Sequence, residues 1–434
     1  MKRIAALLLI GLLLTLAACG GRQEVAPEPQ PEPPAEETPK EPRYLPEQSP
    51  KADGAAEEAP EEGLSPEEAA ARERQALAAR QEARARELLD GMSLAEKVGQ
   101  LFFVQCSGSG MADEIARYHL GGVLLFTRDY RNDAGEWLTW DDMAAKLATY
   151  QTAAAYDTGI PLFIGSDEEG GTVTRASRNP NLFPAVSRSP QALYAEGGMG
   201  AILNDAAQKS YLLHELGVNV NFAPVCDVST DPGDFIYERS FGKNAAETMA
   251  YVAGVELVMG DAGMGSVLKH FPGYGNNVDT HTGIAVDERP IETFRNSDFL
   301  PFLAGIRANT KVAPFVLVSH NIVTCMDPEL PASLSPAVHE LLRGELGFDG
   351  VVLTDDLSMS AVKAYAGDGS VAVLALKAGN DMLVTADFAA QIAQVLDAVA
   401  DGTLDESVID EACLRVLRAK SARFQIPRET EGAA

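Results

Sequence analysis

Ser266-Val-Leu-Lys-His-Phe-Pro-Gly-Tyr-Gly-Asn-Asn-Val-Asp-Thr-His281 opens on an apolar run of three residues and turns at once into a polar loop. The run reads as a short buried strand, and Pro272, Gly273 and Gly275 exclude its continuation as a helix. Working outward, seven more short apolar runs appear: Leu101 to Val104, Gly122 to Phe126, Pro161 to Ile164, Val218 to Phe222, Phe315 to Val318, Gly350 to Leu353, and Met382 to Val384. Most intervals between them hold a helix-length amphipathic segment, such as Trp140 to Tyr156, Ala201 to Leu216, Ala245 to Ala262 and Glu292 to Arg307. Eight β/α units in one chain predict a TIM-type (β/α)8 barrel, regular or irregular, over residues 92–427. A doubly wound open sheet is the runner-up, and the first run lacks the glycine-rich phosphate turn which that fold favours.

A barrel places its reactive residues immediately after its strands. Arg128 follows the second run, Asp167 the third, Asp227 the fourth, Lys269 and His270 the fifth, His320 the sixth and Asp355 the seventh. Any one of them is an ordinary polar residue at a strand end; together they predict a polar pocket suited to a ligand dense in hydroxyls. Within the fifth loop, Asp279 and His281 stand two residues apart, so in extended backbone their side chains point the same way. A carboxylate that holds one imidazole nitrogen leaves the other to move a proton near neutral pH.

The chain ends set the setting. Met1-Lys-Arg, the apolar run Ile4 to Leu16 and Ala17-Ala18-Cys19 have the layout of an export signal over residues 1–18, too short to span a bilayer comfortably. Leu16-Ala-Ala-Cys19 resembles the bacterial lipobox, which implies a lipid on Cys19; an ordinary signal peptide is the plainer alternative. Residues 19–63 are rich in Pro, Glu and Ala and too poor in large apolar side chains to fold, so they read as a semi-extended tether. Ser65-Pro-Glu-Glu68 is a capping box that opens a helix to about Asp90, expected as a solvated spacer over residues 64–91, and residues 428–434 read as a tail. A net charge of -28 argues against nucleic acid or an anionic membrane surface as partner. Cys106, Cys226, Cys325 and Cys413 are widely spaced and form no disulfide or zinc pattern, so they are expected as small core residues.

Several segments carry a resemblance in common. Met92 to Leu101, Asp167-Glu-Glu-Gly-Gly-Thr-Val-Thr-Arg175, Asn221 to Asp227, Glu238 to Gly242, Lys269 to His281, Ser319-His320 through Leu334-Ser-Pro336, and Thr354-Asp-Asp-Leu-Ser-Met359 resemble, in order, glycoside hydrolase family 3. The likeness is to its single-domain β-N-acetylhexosaminidase branch. It implies a retaining exo-enzyme that releases terminal β-linked N-acetylglucosamine, with Asp355 as nucleophile and His281 as acid/base paired with Asp279. It further implies that Asp167, Arg239, Lys269 and His270 clamp the hydroxyls of the terminal sugar. Asp227 is open to a structural or a ligand role and His320 to bracing the pocket, while Asp356 is a rival to Asp355 that strand alternation would turn away. Tyr274 stands where the family commonly has His and Thr280 where it often has Ser.

With export and a lipid anchor on the outer face of the bacterial cell membrane, or a periplasmic or outer-membrane site in a cell with two membranes, the expected substrate is peptidoglycan fragments or related glycans, cleaved by a monomer without cofactor or metal. His270, Asp279 and His281 as metal ligands are the rival chemistry, with no helical ligand spacing behind them. A β-glucosidase-like or phosphorolytic relative, and a lipoprotein that binds wall sugars without cleaving them, are the alternative functions.

Overall fold

A computed structural model of the chain describes residues 65–277, 284–308, 312–367 and 369–424. The signal, the tether, Cys19, Asp279, His281 and the tail lie outside the described residues. All eight apolar runs are strands, most with ends within a residue or two of those expected, while the fifth continues three residues further so that Lys269 and His270 lie within it: β1 Phe102–Gln105, β2 Gly122–Leu125, β3 Phe163–Ser166, β4 Val220–Asn221, β5 Gly265–Phe271, β6 Phe315–Val318, β7 Val352–Thr354 and β8 Leu383–Thr385. They pair in parallel in the order β8-β1-β2-β3-β4-β5-β6-β7, and a parallel bridge from Leu353 to Met382 joins the last pair. The result is a nearly closed eight-stranded barrel surrounded by helices. Its core is aromatic: Phe103 packs edge-on to Phe222, and Phe163 edge-on to Phe315.

Strand β4 is the irregular one, and its sequence explains why. Pro224 offers no N–H to a neighbouring strand, so the ladder ends early. Asparagine side chains substitute for it. Asn219 accepts from the Ile164 N–H at 2.9 Å and donates to the Leu162 carbonyl at 3.1 Å, while Asn221 makes the same pair of bonds to Glu168.

The helices fall between the strands at the expected places, as Trp140–Asp157, Pro190–Leu216 and Ala245–Asp261, the second of them broken by a kink at Gly197 and Gly198 that leaves the expected Ala201 to Leu216 stretch beyond it. The predicted single helix from Glu292 to Arg307 is interrupted by a π-helical stretch, Phe294–Asp298, before Phe299–Ala308. That extra residue per turn brings Asp298 inward, where it meets Arg289 at 3.1 Å. A short ribbon pairs Val286–Asp287 with Ile322–Val323 above β6.

Two expectations are corrected. The helix Pro66–Gly91 carries the reciprocal Ser65–Glu68 cap, but it is not a free spacer: it lies along the last helix, Glu406–Arg423, with Ala85 fully buried and Leu88 and Leu89 against the core. Of the cysteines, Cys106, Cys226 and Cys413 are buried, whereas Cys325 is exposed on the turn after the ribbon and is no core residue.

Candidate active site

The ends of β3, β5 and β7 and the turn after β4 converge on a cleft of about 200 Å³. Asp167, Arg239, Lys269, His270 and Asp355, all singled out in the sequence, line it together. Lys269 is 3% exposed and is held between two carboxylates, Asp167 at 2.8 Å and Glu169 at 2.6 Å. Arg239 grips Glu169 with two parallel bonds, Nε to Oε2 at 3.0 Å and Nη2 to Oε1 at 2.8 Å. Burial opposes the charge on Glu169, but Arg239 and Lys269 outweigh it and hold the carboxyl well below the usual carboxylate range.

Glu169 is the principal site residue that the sequence reading missed. The signal was available, because Asp167 and Glu169 are two apart on extended backbone and so face the same way. The consequence is a fixed arrangement of donors: Glu169 spends its oxygens on Lys269 and Arg239, leaving Asp167 as the acceptor turned to the cleft.

The hydrogen bonds of His270 define its tautomer. Its Nε2 lies 3.1 Å from Arg239 Nη2, which has only hydrogens to offer, so Nε2 accepts. Nδ1 therefore carries the proton and donates to Asp227 Oδ2 at 2.8 Å. Asp227 also accepts the Tyr274 N–H at 2.7 Å through its other oxygen. With a fully buried side chain and both oxygens engaged, Asp227 is a brace rather than a ligand group. His320 braces as well, donating from Nε2 to the Asp356 carbonyl at 3.1 Å, with Ser333 Oγ 2.7 Å from its Nδ1.

Asp355 follows β7 directly, with its N–H on the Val318 carbonyl at 2.9 Å and one carboxylate oxygen accepting the Asp356 N–H at 2.9 Å. Alternation does not turn Asp356 away as expected. The strand stops at Thr354, and both carboxylates line the cleft. Both oxygens of Asp356 are engaged: one accepts from Gln105 Nε2 at 2.5 Å and the other from the Ser358 N–H at 2.8 Å. Gln105 is a second residue missed in the sequence, since nothing in Phe-Phe-Val-Gln105 announces a partner 251 positions away.

Asp279 and His281 lie outside the described residues, but the chain on either side of them is tied down. On the leading side, Asp227 holds the Tyr274 N–H, and Asn277 donates to Asp287 at 2.8 Å. Arg289 joins Asp287 at 2.8 Å and Asp298 at 3.1 Å beneath Gly273, where φ is +127° and a Cβ would come within 2.4 Å of Asp298. Glycine is required there. Burial pushes the Asp298 carboxyl up to about 6 against the pull of Arg289. On the trailing side, the Ile322 N–H donates to the Ala285 carbonyl at 2.9 Å.

A parallel barrel with paired carboxylates, cations and a neutral imidazole at the C-terminal ends of its strands defines a class: an enzyme of the TIM-barrel type with a pocket for a hydroxyl-rich ligand. The description "Glycosyl hydrolase family 3 N terminal domain" matches residues 93–419, and the chain belongs to that family of glycoside hydrolases. It is 30% identical over 341 residues to beta-hexosaminidase LpqI of Mycobacterium tuberculosis, covering 76% of this chain and 83% of that one. A beta-hexosaminidase of Xanthomonas campestris is 33% identical over 298 residues, covering 67% and 84% of the two chains. Among solved structures, the family 3 β-N-acetylglucosaminidase of Paenibacillus sp. superposes with a TM-score of 0.69 at 31% identity, over 77% of this chain and 63% of that longer one.

Proposed function

We propose that this protein is a retaining exo-β-N-acetylhexosaminidase that removes terminal β-linked N-acetylglucosamine from peptidoglycan fragments or related glycans. The observation that carries the reading is the position of Asp355: a carboxylate rigidly aimed from a strand end into a cleft whose other walls are sugar-binding donors and acceptors. The names of the similar enzymes point to the acetamido sugar.

In this reading Lys269 donates to sugar hydroxyls, Asp167 accepts from them, and His270 is held in place beside them by Arg239 and Asp227. Asp355 attacks the anomeric carbon while His281, polarised by Asp279, gives its proton to the leaving oxygen. A glycosyl-enzyme ester on Asp355 results. The neutral imidazole then takes a proton from water, which attacks the same carbon and releases the sugar with its configuration retained. An imidazole in place of the usual second carboxyl carries no negative charge when it acts as base. The described residues that flank the pair in sequence are consistent with this role: Asn277 donates to Asp287 at 2.8 Å and Ala285 accepts the Ile322 N–H at 2.9 Å.

The lipobox-like Leu16-Ala-Ala-Cys19 supports export and anchoring through Cys19 on the outer face of the membrane, where glycan fragments are available. Replacing Asp355→Asn is expected to abolish trapping of a glycosyl-enzyme by intact mass and to lower kcat at least about 10³-fold. An adduct that persists overturns the assignment. Assays of aryl N-acetyl-β-glucosaminide against aryl β-glucoside, each with and without phosphate, separate the β-glucosidase-like and phosphorolytic alternatives. The expected result is cleavage of the acetamido sugar alone, with water as acceptor.

A further inference from the structure

Pro272 to Asn277, the stretch that follows β5, packs its backbone on a buried ion cluster centred on Arg289. The Arg289 Nε donates to both oxygens of Asp287 at 3.0 Å, its Nη1 to the two oxygens of Asp298 at 3.1 and 3.2 Å, and its guanidinium lies over the Phe294 ring at 4.4 Å. Asp287 and Asp298 are 2% and 1% exposed, so their charges depend on Arg289 rather than on water. The ribbon supplies one carboxylate, and the π-helical stretch Phe294–Asp298 supplies the other.

The cluster meets the stretch at three places, and two of them need glycine. Gly273, at φ +127°, has Asp298 where its Cβ would stand, and its carbonyl accepts from Arg289 Nη2 at 3.4 Å. Gly275, at φ +53°, has the Arg289 guanidinium in the corresponding place. Asn277 donates to Asp287 Oδ2 and to the Tyr274 carbonyl, each at 2.8 Å.

The residue between the two glycines faces the cleft. Tyr274 is 2% exposed and lines the cleft beside His270, with the two rings edge to face at 5.5 Å. Asp227 ties them together, taking the Tyr274 N–H on one oxygen and the His270 ring proton on the other. A displaced turn would draw Tyr274 off Asp227 and loosen the carboxylate that fixes the His270 tautomer.

We infer that Arg289 is a positioning residue for sugar binding: anchored by Asp287 and Asp298, it fixes the path of Pro272 to Asn277 and so seats Tyr274 and His270 in the cleft. The identity of the sugar rests on the proposed function, whereas the seating of the two side chains does not.

The test uses the full chain with Arg289→Lys and Asp298→Asn, each checked by thermal melting to be folded. Arg289→Lys keeps the charge but cannot reach both carboxylates and the Gly273 carbonyl at once, so its calorimetric Kd for N-acetylglucosamine should rise at least about tenfold. Asp298→Asn is isosteric, and at pH 7.5 its Kd should rise about threefold or more. Burial, with the Asp227 and Asp287 charges nearby, pushes the Asp298 carboxyl up to about 6 against the pull of Arg289. At pH 5 the wild type is therefore neutral there too, and the ratio of variant to wild-type Kd should fall towards one. Titrations common to both proteins cancel in that ratio. A second readout needs no sugar: hydrogen exchange of the Tyr274 amide should quicken at least about tenfold in Arg289→Lys, while peptides from the other strands keep their rates. An unchanged Kd in the folded variants, or Tyr274 exchange that ignores the substitution, overturns the inference. A wild type that binds no N-acetylglucosamine, with Tyr274 exchange still responding to Arg289→Lys, overturns the proposed function and leaves the seating of Tyr274 supported.

Discussion

At the scale of single residues, the site is organised around one buried carboxylate. Glu169 holds Lys269 at 2.6 Å and Arg239 through two bonds, so it fixes the geometry of two donors that the cleft presents. Its carboxyl lies below the ordinary value, so the stability it confers is present above the unfolded-state value near 4 and is lost as pH falls below it. Replacing Glu169→Gln keeps the shape and removes the charge, leaving two neighbouring cations, one of them fully enclosed, without their shared counter-ion. Breaking a buried pair in this way costs about 3 to 5 kcal/mol. Urea unfolding of Glu169→Gln at pH 7 should show that loss, and KM for an aryl N-acetyl-β-glucosaminide should rise at least about tenfold. A variant of unchanged stability and KM would mean that Lys269 and Arg239 need no such anchor.

At the scale of elements, the helix Pro66–Gly91 is the piece whose role differs most from its sequence. Its charges and small residues suggest a solvated rod, yet Ala85 is fully buried and Leu88 and Leu89, three and four positions on, share the same face against the last helix. Arg418 approaches Glu82 at 3.7 Å across that contact. A chain starting at Met92 should therefore be less stable than one starting at Ser65, by about 3 kcal/mol for the apolar surface that is re-exposed, or a Tm lower by about 5 °C. Equal melting temperatures for the two would return the helix to the status of a spacer. The strands, by contrast, were legible because burial on both faces writes each one as a continuous apolar run closed by polar residues, as in Phe315-Val-Leu-Val318. Residues at strand ends were legible for the same reason, which is why Asp167, Lys269, His270 and Asp355 were found. Groups whose meaning depends on a partner far along the chain were not: Gln105 matters through Asp356, and Asn219 and Asn221 through the bonds they lend to a shortened strand. Asp356 misled because alternation applies only within a strand, and β7 ends before it.

At the scale of the whole molecule, the barrel is plugged at the end away from the cleft by the last helix, which puts charge where a core is expected. Lys420 is fully buried, bonded to Gln100 Oε1 at 2.6 Å and 5.1 Å from the centre of the Phe163 ring, and Arg423 lies 5.5 Å from both Phe163 and Phe315. Burial pushes the Lys420 ammonium down to about 7, while the nearby Cys413 thiol, pushed up to about 12 by its own burial, remains protonated. The folded value therefore lies below the unfolded one of about 10.4. Between those limits the unfolded chain binds a proton that the folded chain does not, so this residue makes stability rise with pH from about 7 to about 10. Below pH 7 both states are protonated, and the cost of burying the charge is constant and largest. Lys420→Met keeps the length of the side chain and removes the titration. Its stability relative to the wild type should be highest at pH 7 and below, and the advantage should decline by up to about 1.4 kcal/mol per pH unit as pH rises toward 10. Because repulsion among the chain's many carboxylates is common to both proteins, it cancels in the difference. Thermal or urea unfolding of the pair at pH 6, 7, 8 and 9 reads this directly, and a difference that does not change with pH would show that Lys420 keeps its proton throughout.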